Sequence, residues 1–379
     1  MAERTPLYPL HHAAGARLTD FAGWEMPLHY GSQLSEHLAV RRDCGLFDVS
    51  HMGVVEVAGG KALEFLRRVL ANDVARLAPG RALYSPMLSP QGGILDDLIA
   101  YRLGPARFFL VVNCANTARD LQWLREQSAG TEVEVRLRRD LAILALQGPR
   151  ALERLARAVD VAVADAAAAL PSFGLWEAGG WVVARTGYTG EDGVELLLPA
   201  DEAPGLWRAL SEAGATLAGL AARDSLRIEA GLPLYGQEMD ETVSPLRCGL
   251  AWTVAWEPEE RRFVGREALE AERRAGPRER LAGLLLEGRG VLRAGQRVLF
   301  PTGEEGRITS GTYSPFLQCS IALARVPADA PEGRAEVEIR GRREPVRVVA
   351  PRFVRRGRIL VETGCGRGRA PGGGDERNP

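Results

Sequence analysis

A chain of 379 residues, 46% hydrophobic and 26% charged, has the material for two or three globular domains with substantial cores. A formal net charge of −1 argues against a general binder of nucleic acid or of acidic membrane surfaces. Five cysteines without a CxxC pair (Cys44, Cys114, Cys248, Cys319 and Cys365) exclude a zinc ribbon and a disulfide scaffold, and fit free thiols in a reducing compartment.

The amino terminus, MAERTPLYPLHH, has no basic segment followed by an apolar core, and the longest apolar runs are too short and too acidic to span a bilayer. A cytoplasmic protein that neither enters nor binds membranes is expected. All five histidines (His11, His12, His29, His37 and His51) lie in the first 51 residues, and no HExxH is present. A histidine-based triad or metal site would have to draw on that segment, so no metal is expected. Proton transfer elsewhere then falls to Asp, Glu, Tyr or Arg-paired groups.

After a turn-rich N-terminal segment, DVSHMG (48–53) sets Ser50, His51 and Met52 ahead of a strand. A lone histidine there reads as structural. GKALEFLRRVLAND has apolar residues near helical spacing and predicts an amphipathic helix. GGILDDLIAY (92–101) predicts a strand that meets RFFLVVN (107–113) across a short loop, as a hairpin. Residues 116–126 read as a helix and EVEVRL as an alternating strand. A similar order follows: AILALQ as a strand, PRALERLARAV as a helix opened by proline, GWVVART and GVELLLP as strands, APGLWRALSEAG as a helix.

Two successive units of antiparallel strands and helices predict an α+β fold with two ferredoxin-like halves within 1–256. The charged stretch 257–280 reads as a helical bridge, and short strands with Gly-rich turns over 281–358 predict a β-barrel-like domain. The Gly- and Arg-rich end, 359–379, is expected to be disordered.

Three stretches carry candidate chemistry. Adjacent acids on a strand point to opposite faces, so only one of Asp96 and Asp97 faces a given side. Such a pair is most often structural or edge-exposed; an inward acid would hold an amine and accept a proton, with desolvation lifting its pKa above about 3.9. ARTGYTGEDGVEL reads as a tight hairpin, yet Tyr188 in the turn and Glu195 on the strand are awkward for packing alone. A buried glutamate must be partnered, and it suits a bidentate contact with an amino-pyrimidine edge. In LAARDSLRIEAGLPLYGQEMD, Arg223 and Arg227 stand one helical turn apart, with Glu229 close by. They read either as solvated charges or as a guanidinium fork for carboxylates or for Glu195. No P-loop or GxSxG occurs, and GCGRGR lacks the strand–helix setting of a dinucleotide fingerprint, so no nucleotide cofactor is expected.

FAGWEMPLHYGS, FDVSHMG, GGILDDLIAY, QGP, ARTGYTGEDGVEL, LAARDSLRIEAGLPLYGQEMDE and GRITSGTYSP follow one another in this order. The ordered set closely resembles the aminomethyltransferase, or T-protein, family of the glycine cleavage system. The resemblance implies three domains in a clover leaf around a folate channel, with tetrahydrofolate as co-substrate and the lipoylated H-protein as partner. It implies an enzyme that takes the aminomethyl group from the lipoyl arm, releases ammonia and passes the one-carbon unit to tetrahydrofolate. Methylenetetrahydrofolate and the reduced lipoyl arm are the products.

On that resemblance Asp97 matches the catalytic acid, orienting a pterin-side nitrogen for attack, and Asp96 is left with a structural role. Glu195 and Arg223 match folate-binding positions, and Tyr84, Asn113, Tyr188, Met52 and Arg227 are grouped with them. The chain departs from the pattern at SPFLQCSIALARV and APRFVRRGR, where Arg355 and Arg356 stay unassigned. The rival readings are a free-standing folate-dependent demethylase of dimethylglycine, sarcosine or a sulfonium compound, and a non-catalytic folate-binding protein. The group linked to iron–sulfur maintenance carries a cysteine in KGCYxGQE, where this chain reads AGLPLYGQE.

Overall fold

The helix Ala62–Val69 buries Ala62, Phe65, Leu66 and Val69, the i, i+3, i+4, i+7 stripe that its sequence carries. With the helix Thr117–Ser128 it covers the back of a five-stranded sheet ordered Arg81–Leu88, Ile94–Gly104, Arg107–Val112, Gly53–Ala58, Glu134–Leu137. The computed structural model, which describes residues 2–362, places a second sheet against the front of the first. Its order is Leu175–Ala178, Trp181–Ala184, Gly193–Pro199, Leu141–Gln147, Gly45–Asp48, Thr216–Leu217. The helices Ala151–Ala156, Val161–Ala169 and Ala203–Glu212 cover its far side. The fold is α+β, as the alternating pattern of elements predicts.

One strand departs from expectation. Gly45–Asp48, from the segment read as turn-rich, is wedged into the second sheet, antiparallel to Leu141–Gln147 and parallel to Thr216–Leu217. Four residues are too few to announce a strand locally; pairing on both edges orders them. The same N-terminal segment also holds the hairpin Arg17–Phe21/Trp24–His29 and the helix Gln33–Arg42. The chain then crosses through residues 49–52 into Gly53–Ala58 of the first sheet. A single apolar layer fills the space between the sheets, with Phe47, Tyr101, Phe109, Ile143 and Leu197 among its members.

Beyond the second sheet, six strands from Glu279–Leu286 to Arg342–Val349 close into a barrel. The charged stretch before it is helical only over Arg266–Ala275. Arg261, upstream of that helix, is buried and donates to the carbonyls of Arg67, Leu70, Ala71 and Asn72, which caps the open carbonyl end of Ala62–Val69. At the chain's end Ile359 still pairs with Val354; the rest of the expected tail, from 363, lies outside the described residues.

The helix Leu220–Ala230 joins all three units. Glu229, fully buried, receives Arg41 Nε at 2.8 Å, lies 3.0 Å from His37 Nε2, and accepts the Ser314 hydroxyl from the barrel. Burial alone would raise its pKa, but these partners hold it below the usual carboxylate range. The helix ends at Gly231, whose φ of 70° and close approach to the Pro351 carbonyl leave no room for a Cβ. Removing one partner strands the other charges without water. Glu229→Ala is therefore expected to lower the unfolding free energy by about 3–5 kcal/mol in urea denaturation.

Candidate functional site

The strand Ile94–Gly104 supplies the centre of the site. Its two-glycine approach matters: a Cβ on Gly93 would stand 1.7 Å from the Glu241 carbonyl oxygen, so only glycine lets that loop pass. An irregularity in the pairing follows, with Met87 opposite Asp96 and Leu88 opposite Ile94. This is a bulge at Leu95, which re-aims the residues after it. From Asp96 onward the faces alternate cleanly. Asp96 is fully buried and shares its face with Leu98 and Ala100, under the helix Thr117–Ser128; Asp97 keeps accessible surface and shares the inter-sheet face with Ile99 and Tyr101.

Asp97 is held by neutral donors. Tyr84 Oη donates to Oδ2 at 2.8 Å, and Asn113 Nδ2 donates to Oδ1 at 2.9 Å. The same Asn113 amide reaches Asp96 Oδ1 at 2.9 Å, so one side chain ties both acids although they face opposite ways. Among the described residues Asp97 forms no ion pair. Desolvation, with the Asp96 charge adding to it, lifts the Asp97 carboxyl to about 7 against the pull of Tyr84 and Asn113.

The far end of the site comes from the other sheet. Glu195 shares the face of Leu197 on Gly193–Pro199 and points at the first sheet. Its Oε2 accepts Thr186 Oγ1 at 2.5 Å and Tyr101 Oη at 3.4 Å, while Oε1 has no hydrogen-bond partner among the described residues. Tyr101 stands four residues from Asp97 on one strand face, a spacing of roughly 13 Å at about 3.3 Å per residue. Between these ends the Arg223 guanidinium lies 4.6 Å above the Tyr188 ring, and Tyr188 itself donates to the Pro233 carbonyl. Met52 Sδ, on the crossover between the sheets, is 3.9 Å from Arg223 Nη2. Arg223 has no carboxylate partner among the described residues, and desolvation lowers its pKa.

Asp97, Tyr84, Asn113, Glu195, Arg223, Tyr188 and Met52 thus belong to one inter-sheet site. Arg227 does not, which corrects its grouping with the folate-binding positions; it is buried rather than solvated, and its carboxylate partners are the chain's own. Its Nε donates to Asp224, Nη1 to Glu238 and the Leu232 carbonyl, and Nη2 to Ser310. Glu238 is a fully buried carboxylate and needs a cation more than a ligand does. His51 is a buried neutral ring, its pKa lowered by burial to about 4, set edge-on to Phe21 at 5.4 Å. Tyr101 and Thr186 escaped the sequence reading. Tyr101 was legible, being in register with Asp97 on the same strand face; nothing local marks Thr186. Trp252, an exposed ring 6.1 Å from Tyr84, carried no pattern at all.

Residues 7–258 match the family described as GCVT N-terminal domain, and 279–355 the Glycine cleavage T-protein C-terminal barrel domain. The chain is 55% identical over 362 residues to an aminomethyltransferase of Pseudomonas syringae pv. tomato, covering 95% of this chain and 100% of that one. It is 53% identical to an aminomethyltransferase of Chromobacterium violaceum, with 95% and 99% of the two chains covered. The crystal structure of glycine cleavage system aminomethyltransferase T from Bartonella henselae superposes with a TM-score of 0.88 at 38% identity, covering 95% of this chain and 99% of that one.

The raised Asp97 pKa makes a stability prediction. Between about 4, the unfolded value, and about 7, the native one, the folded state binds more protons, so stability falls as pH rises through that window. Asn at this position does not titrate. Asp97→Asn is expected to melt near the parent temperature at pH 4 and on the order of a few degrees above it at pH 8, read by calorimetry.

Proposed function

Since the chain belongs to the glycine cleavage T-protein family and is an aminomethyltransferase, we propose that Asp97 handles the reaction's proton and that Glu195, Arg223 and Tyr188 hold the folate. The family's co-substrate is tetrahydrofolate. The donor we assign is the lipoyl arm of the carrier H-protein, bearing the aminomethyl group.

The residues fit a folate by their chemistry. A carboxylate oxygen left open beside one fixed by Thr186 and Tyr101 suits the adjacent N–H groups of an amino-pyrimidine edge. A guanidinium without a carboxylate, steadied by an aromatic ring, suits an acceptor or anionic group on the same ligand. Asn113 and Tyr84 fix both oxygens of Asp97, so the carboxylate is oriented before any ligand arrives.

Tetrahydrofolate supplies the nitrogen that takes up the one-carbon unit. That nitrogen would bond the aminomethyl carbon as the carbon's bond to the amine breaks, and the proton it sheds would pass to the departing ammonia. Asp97 accepts that proton at a carboxylate oxygen and is basic enough at neutral pH to do so, where an ordinary aspartate is not. The single observation that carries this reading is the setting of Asp97: neutral hydrogen bonds, no cation among the described residues, and a second acid next door.

With aminomethyl-loaded, lipoylated H-protein and tetrahydrofolate as substrates, Asp97→Asn is expected to lose on the order of 10²–10⁴ in kcat. Folate affinity by calorimetric titration should stay within a few-fold. Undiminished turnover would remove Asp97 from the mechanism. Ammonia release no higher than a folate-free blank, alongside turnover of dimethylglycine or a sulfonium donor, would move the reading to a demethylase. Glu195→Gln turns one oxygen into a donor facing a donor, so the folate Kd is expected to rise at least tenfold while kcat at saturation changes less.

A further inference from the structure

Behind Asp97 lies a second acid pair that the reaction does not itself use. Asp96 and Asp120 are both fully buried, one on the strand Ile94–Gly104 and the other on the helix Thr117–Ser128. Asp96 accepts the Asn113 backbone N–H at 3.0 Å, Asn113 Nδ2 at 2.9 Å and Asn116 Nδ2 at 2.6 Å. Asp120 stands one helical turn after Asn116, whose amide bonds Asp96, so the two buried carboxyl groups lie side by side, and among the described residues neither oxygen of Asp120 receives an N–H or O–H. Two carboxyl groups hydrogen-bond to each other only when one of them carries a proton.

Among the described residues no cation hydrogen-bonds either oxygen of Asp120. The nearest guanidinium, Arg119, is 3.9 Å from Asp120 Oδ1, and its side chain is 41% exposed. Arg119 is engaged elsewhere, by Glu241, the Leu95 carbonyl and Tyr235 Oη. The other titratable groups around the three acids are Tyr84 on one neighbouring strand, Cys114 after the other, Tyr235 and Cys248 from the segment before the barrel, and Tyr188 and Arg223 across the inter-sheet face. Of these, among the described residues, only Arg223 is cationic, and it stacks on Tyr188. Two adjacent buried carboxylates, with the one guanidinium in reach exposed and engaged by other partners, cannot both ionise.

We propose that Asp120 is a positioning residue: it carries a proton at neutral pH, donates it to Asp96, and makes the buried pair one fixed negative charge that backs Asp97 through Asn113. This rests on the reading of Asp97 as the proton-handling group. Burial and the neighbouring Asp96 charge both push the Asp120 carboxyl far above the usual range, in agreement with its full burial and its lack of a donor. The pair behaves as a unit. Its single charge makes Asp97 a stronger base, and the Asn113 amide, bound to Asp96 on one side, presents its N–H to Asp97 in a fixed direction.

The test uses the full-length enzyme, with kcat followed against pH in the H-protein assay and isotope-edited infrared spectra recorded at pH 8. Asp120→Asn keeps a donor toward Asp96 without a titrating proton. It is expected to leave the kcat midpoint within about 0.3 pH unit of the parent, while the neutral-carboxyl carbonyl band of the parent disappears. Asp120→Leu keeps the branched outline, with methyl groups in place of the oxygens, and removes the donor. Asp96 then takes up the proton, the charge behind Asp97 is lost, and the midpoint falls by at least about half a unit. A parent spectrum without a neutral-carboxyl band at pH 8, a midpoint in Asp120→Asn that moves as far as in Asp120→Leu, or a midpoint in Asp120→Leu that stays or rises would overturn the proposal. If the band is present but Asp97→Asn retains the pH limb, the Asp97 assignment fails and the protonated pair stands.

Discussion

The arrangement of the site depends on one buried carboxylate. Glu229 gathers Arg41 and His37 from the N-terminal helix and Ser314 from the barrel, and so fixes the helix Leu220–Ala230 between the units. Arg227, on the same helix, reaches the barrel through Ser310 and the Glu238 loop. A buried cluster of paired charges has few alternative arrangements, because each alternative leaves a charge unpartnered. The helix is thus held in rotation as well as in position. That rotation decides where Arg223, one turn before Arg227, points.

The second constraint is strand alternation. Asp97 and Tyr101 share a face because they are separated by an even number of residues, and Glu195 faces them because it shares parity with Leu197 on the opposing sheet. An apolar layer sets the spacing of the two sheets. Site geometry is thereby inherited from core packing, and the polar groups occupy the stretch of the face that aliphatic side chains do not fill. A site held on strands and a fixed helix is positioned without a mobile loop.

Much of this was readable along the chain, and the reasons for the failures differ. The two α+β units, the closing barrel and the inward turn of Asp97 followed from periodicity and from an ordered set of short motifs. Arg227 was misread because a helical arginine one turn from another looks the same whether its partner is a ligand or a buried Glu238 that belongs to a later loop. Asp120 left no trace because it sits at a solvent-like position in an ordinary helical pattern; only the packing of that helix on Asp96 makes it unusual. The strand Gly45–Asp48 was invisible because both of its partners lie far downstream. Local chemistry announces local structure, and these three contacts are long-range.

That strand also orders events during synthesis. Gly45–Asp48 emerges early, yet its partners are Leu141–Gln147 and Thr216–Leu217, so the ribosome must complete the entire first sheet before this segment can be paired. Until then the nascent chain carries an apolar ribbon with two open edges, the kind of template that invites pairing with a neighbouring chain. The units cannot be separated by a single cut, because a fragment ending before Leu141 keeps the ribbon and loses what covers it. The crossover that brings Met52 to Arg223 is therefore also a topological tie, and it obliges the first two units to mature together.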